Sequence, residues 1–125
     1  MILIPVSLGE LLDKITILQI KEQNIKDNYK LQWVKKELDL LLNKLQEINH
    51  SNLLKDAEFR KLFFYNKTLW NLEDNIRLLE QQNNFGPEFI RIARSIYLNN
   101  DKRADIKRQF NEKYSSDIME IKSYK

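Results

Sequence analysis

Between positions 66 and 77 the chain reads NKTLWNLEDNIR, and Asn66, Glu73 and Arg77 within it could do chemistry. A carboxylate can act as general acid or base, a guanidinium can grip an anion in its planar fork, and an amide can orient a bound group. Their spacing makes them candidates. On a helical wheel of about 100° per residue, Asn66, Glu73 and Arg77 fall between Leu69 and Ile76 on one side and Phe59, Phe63 and Trp70 on the other. They project from the middle of an apolar arc. A lone charge there would cost several kcal/mol, so partners are expected. Glu73 and Arg77, spaced i,i+4, can pair with each other.

Two further segments repeat the pattern. Around Ile106, Phe110 and Tyr114, Arg103 projects from the apolar side with Lys107 beside it. Near the N-terminus, Gln19 and Glu22 lie within the arc of Leu11, Leu12 and Ile15, with Thr16 at its edge. If these faces meet, Asn66, Glu73, Arg77, Arg103 and Lys107 gather with Gln19 or Glu22. Three readings follow. The set is a structural network that fixes helix register. Or it is a pocket between helices, where Arg77, Arg103 and Lys107 meet an anionic small molecule and Asn66 and Glu73 orient it. Or the long side chains reach the surface. A small enzyme could use the same pocket, with Glu73 as general acid or base. Arg91 and Arg94, one turn apart, are expected to be solvated or paired, with a phosphate clamp as a minor alternative.

The elements that must position these residues are helices. The 125 residues include only two glycines and two prolines, and long runs repeat with the 3.6-residue period. The expected fold is all-α, a bundle of four to five helices in one domain, residues 1–125, after a short extended arm, ILIPV. Ser7 and Glu10 form a capping box with Val6 stapling onto Leu11. The first helix runs from there to about Ile25, and DNYK (27–30) is a turn. A second helix, about Leu31 to Ile48, makes a hairpin with the first. NHSN (49–52) is a loop. A long central helix spans about Leu54 to Gln82. After NNFGPEF, with Pro87 in the first turn, a fourth helix ends near Leu98. NND breaks the chain, and Asp101 caps a fifth helix reaching about Tyr114. In the tail, Ile118, Met119 and Ile121 are available for docking. Leucines left exposed on the second helix would favour a homodimer.

Composition removes several function classes. There is no cysteine and one histidine, His50, so no thiolate or histidine metal site is expected, and no cofactor motif is present. The start is apolar but has no basic segment before its short run, unlike a signal peptide. No run approaches the ~20 apolar residues of a membrane span, and the expected location is the cytoplasm. The net charge is +3. The basic residues at Lys102, Arg103, Lys107 and Arg108 alternate with Asp101 and Asp105, a poor footprint for nucleic acid. Trp33 and Trp70 are expected in the core.

Four blocks in order, IPVSLGELLDKITILQIK, LWNLEDNIR, FGPEFIRIARSIYLNNDKRADIKRQFN and EIKSY, resemble a family of small bacterial proteins of unknown function. Such proteins are often encoded near surface-polysaccharide and glycosyltransferase genes. The resemblance covers nearly the whole chain except the stretch around 40–61. It implies a supporting role in glycan assembly, with a sugar phosphate, a nucleotide-sugar or a glycan-assembly protein as partner, and assigns no catalytic residue. The blocks hold Glu73, Arg77, Arg91, Arg94, Asn100, Arg103 and Lys107. Gln19 stands where the resemblance leads one to expect an acidic residue. A looser analogy, in an Arg, Lys and Glu pocket inside a helical bundle and in the rhythm of GELLDKITILQI, is to the all-helical chorismate mutases.

Overall fold

The computed structural model describes residues 1–114, 116 and 120–123. The described residues form four α-helices and one 3-10 turn and no strand. Helix α1, Leu8–Asn24, starts where expected, and the Ser7 side chain accepts a hydrogen bond from the Glu10 N–H. Val6 is exposed rather than buried as a staple. Asp27 is no mid-turn residue. Its side chain caps Lys30 N–H, so α2 begins at once, Asn28–Glu47. Asn49 takes the left-handed backbone conformation, φ 62°, and part of the expected loop winds into the 3-10 turn Ser51–Lys55. Asp56 then caps α3, Ala57–Gln81.

The last helix corrects the sequence reading. Instead of a fourth and a fifth helix there is a single α4, Pro87–Lys113. NND was expected to stop it because Asn and Asp favour caps. With no glycine or proline, though, they cost only a fraction of a kcal/mol each inside a helix. Asn99 Nδ2 donates to the Ser95 carbonyl, and Asn100 Oδ1 accepts from Arg103. The groups that could have terminated the helix are occupied along it.

Beside the long α3, which meets α1, α4 and the 3-10 turn, α1 is the helix that touches each of the other three α-helices. It packs on α2, α3 and α4, whereas among the described residues α2 meets α1 and the 3-10 turn and no other element. A helix enclosed on three sides buries more than one stripe. Leu11, Leu12, Ile15 and Leu18 join Val34, Leu38 and Leu45 of α2 and Leu53, Phe59, Leu62, Ile106 and Phe110 in one core. Each such side chain contributes about 1.5–3 kcal/mol by leaving water. A second stripe, Gly9, Asp13, Thr16 and Ile20, is also buried. Gly9 is there because α4 passes so close that a Cβ would overlap the backbone carbonyl of Lys107. Contacts of Gly9 with Asn111 and of Asp13 with Arg103 show that α4 runs antiparallel to α1.

Trp33 is not core. It is 58 % exposed on α2, edge-on to Tyr29. Trp70 is half-buried. In the tail, Ile121 is exposed, and the expected docking of Ile118 and Met119 lies outside the described residues.

Candidate functional site

The polar centre of the bundle is Asp13, which the sequence reading passed over. It sits on α1 with 1 % of its surface exposed. Arg103 of α4 grips it with both edges of the fork, Nε on Oδ1 at 2.8 Å and Nη2 on Oδ2. Asn66 of α3 donates through Nδ2 to Asp13 Oδ1 at 2.8 Å and to Thr16 Oγ1 at 2.7 Å. Thr16 in turn donates its hydroxyl proton to the Asp13 carbonyl. One carboxylate thus ties together the three helices that meet on this side of α1.

Lys107 stands behind this pair. Its buried ammonium donates to Glu10 Oε2 at 2.7 Å and to Glu120 Oε1 at 3.2 Å, and lies 3.9 Å from Asp13 Oδ2. Burial, the largest single effect, disfavours its charge. The Glu10 hydrogen bond and the negative fields of Asp13, Glu10 and Glu120 together outweigh burial, so its pKa lies above the ordinary lysine value. Arg103 is likewise raised, chiefly by its hydrogen bonds to Asp13. Both cations are held charged by protein carboxylates. Every fully buried side-chain nitrogen or oxygen among the described residues has a partner, so the buried atoms of this network are satisfied by protein groups.

Next to it, between α1, α3 and α4, opens a cleft of about 370 Å³. Ile17, Ile20, Leu69 and Trp70 give it apolar walls, while Asn66, Glu73, Asp74, Arg77, Asn100 and Arg103 give it polar ones. Glu73 and Arg77 pair only loosely, at 3.9 Å, with side chains 45 % and 75 % exposed. Their functional groups remain open to solvent and to a ligand.

This arrangement sorts the expected site residues. Asn66, Glu73, Arg77, Arg103 and Asn100 come together around the cleft. Lys107 faces a separate cavity of about 50 Å³ with Asn100, Arg103, Ala104, Glu120 and Lys122. Gln19 and Arg94 line neither, Glu22 is exposed, and Arg91 pairs with Glu88 on its own helix. Gln19 and Glu22 fall near the Leu8–Leu12 side of α1 on the wheel, away from the stripe that faces α3 and α4. The signal that could have found Asp13 is that stripe. Gly9, Asp13, Thr16 and Ile20 recur at i, i+4, i+7 and i+11, the spacing of one helix face.

The chain belongs to DUF6165, a family of unknown function. The family model matches residues 2–125. No curated protein and no solved structure matches it. In this DUF6165 member, among the described residues, no helix is long and apolar enough to cross a membrane.

Proposed function

We propose that this protein is a small-molecule binding module and that the cleft between α1, α3 and α4 takes a phosphorylated sugar or nucleotide-sugar in support of surface glycan assembly. What carries the reading is the coexistence of two polar systems side by side. The Asp13–Arg103 pair and the Asn66 Nδ2 donors are matched within the protein, so the cleft is not needed to satisfy them. Glu73, Asp74 and Arg77 are nonetheless held beside an indole and an apolar wall. An aromatic face suits the apolar side of a sugar ring, carboxylates and amides suit hydroxyls, and a guanidinium suits phosphate. Arg77 is the cation that meets the anionic group, because Asp13 already balances Arg103, while Glu10 and Glu120 engage Lys107.

The experiment is a thermal-shift panel of sugar phosphates, nucleotide-sugars, nucleotides and small dicarboxylates. A compound that binds only the folded protein raises Tm with its concentration. The expected result is a shift with sugar phosphates that Arg77→Ala removes while the unliganded Tm stays near wild type. Arg103→Ala is a poor substitute, since it strips Asp13 of its partner. If Glu73→Gln abolishes turnover of a bound compound with its affinity intact, the module is an enzyme. No shift with any compound returns the cluster to a purely structural role.

A further inference from the structure

The cleft reads hydrogen-bond polarity through Asn66. We infer that Asn66 presents its carbonyl oxygen, not its NH₂ group, to the cleft, and that a sugar phosphate therefore binds with a hydroxyl donated to Asn66 Oδ1 and its phosphate toward Arg77. The ligand class rests on the function proposed above, whereas the amide orientation stands on its own.

An amide can present either end, and its two ends look alike in outline. Here the neighbours decide. Asp13 Oδ1 and Thr16 Oγ1 lie 2.8 and 2.7 Å from the Asn66 Nδ2 position. The Asp13 carboxylate, ion-paired with Arg103, accepts and does not donate. The Thr16 hydroxyl has one proton, and that proton goes to the Asp13 carbonyl at 2.7 Å. Turned the other way, the amide would set its oxygen against two acceptors. Both Nδ2 hydrogens are thus committed inside the network.

Oδ1 is left over. It accepts no hydrogen bond from the described residues. Asn66 is 5 % exposed and lines the cleft. Because no fully buried side-chain oxygen among the described residues lacks a partner, Oδ1 belongs to the small part of the residue that remains accessible. The accessible space at Asn66 is the cleft. An acceptor at the cleft wall with no protein donor favours a ligand O–H or N–H and disfavours a phosphate oxygen, which would meet it acceptor to acceptor. The Arg77 side chain, 75 % exposed, offers the anion a place nearer solvent. The carboxylates of Glu73 and Asp74 line the same cleft and likewise favour hydroxyls near them over phosphate.

Two measurements test this. The first needs no ligand. In ¹⁵N-labelled protein the Asn66 Nδ2 protons should exchange with solvent at least about tenfold more slowly than those of exposed Asn75, and Thr16→Val should reduce that protection. Exchange as fast as Asn75 overturns the assignment. The second is calorimetric titration of glucose 1-phosphate, inorganic phosphate and the glucose 1-phosphates in which one hydroxyl at a time is replaced by fluorine, which cannot donate. Loss of one hydrogen bond to Asn66 Oδ1, an acceptor that no protein group serves, predicts that one analogue binds about tenfold more weakly, and that inorganic phosphate binds more weakly than the sugar phosphate. Equal binding of every analogue overturns the inference but leaves the binding function standing. No binding of glucose 1-phosphate overturns the ligand class and the hydroxyl assignment with it.

Discussion

Asp13–Arg103 and Glu73–Arg77 join the same two functional groups, a carboxylate and a guanidinium, in opposite surroundings. The first spans two helices far apart in sequence, is bidentate, and leaves Asp13 almost wholly buried. The second joins neighbours on one helix at 3.9 Å, mostly in water. Removing one member of a buried pair strands a charge, while an exposed pair contributes little. The difference teaches that residue type and apolar surroundings on a wheel do not separate structure from function. Commitment to other protein groups does. Arg103 is committed, and Arg77 remains available.

That contrast can be broken or sharpened by mutation. Asp13→Ala should have the largest effect, about 3–5 kcal/mol of lost stability, read by denaturant unfolding. It leaves Arg103 without its carboxylate and Asn66 Nδ2 with one acceptor fewer. A loss no larger than that of Arg77→Ala would erase the distinction between the pairs. Gly9→Ala should follow, at about 1–3 kcal/mol, because its Cβ would meet the Lys107 carbonyl and push α1 off α4. Unchanged stability would mean that the two helices approach less closely.

Alkaline titration probes the Lys107 side of the buried network. The folded-state pKa of Lys107 is raised. Its contribution is therefore fully present below the unfolded value and disappears as pH rises through the folded one. The Tm gap between wild type and Lys107→Met should hold through neutral pH and close above roughly pH 10.4. A gap that closes nearer neutrality would contradict the charge balance. The smallest effect belongs to the cleft. Arg77→Ala should change stability by less than about 0.5 kcal/mol while abolishing the sugar-phosphate shift. A large destabilisation would make the open pair structural too.

Much of the fold was legible. Ser7 offers an oxygen at a helix start, Pro87 can occupy a first turn, and the leucine spacing defines one face. These are local facts, set by backbone hydrogen bonding within a few residues. Asn66, Glu73 and Arg77 were legible as polar residues on an apolar arc for the same reason. The continuity of α4 through Asn99–Asn100 was not, since a cap-favouring side chain stops a helix only when it leaves the helical backbone. Trp33 was read as core because its spacing matches core residues, but among the described residues α2 packs on α1 and the 3-10 turn alone, and Trp33 stays exposed.

By itself the sequence determined that the chain is helical, roughly where its helices start, and that three segments carry polar groups on apolar arcs. Only the tertiary structure decided which of those groups meet. α1 is enclosed by three neighbours, so its second stripe turns inward and Asp13, not Gln19 or Glu22, becomes the centre. α4 crosses close over Gly9, so Lys107 is drawn between Glu10 and Glu120 and away from the cleft. Helical period fixes the angle at which a side chain leaves its own axis. Whether water, a carboxylate or an open cleft stands at that angle depends on helices distant in sequence.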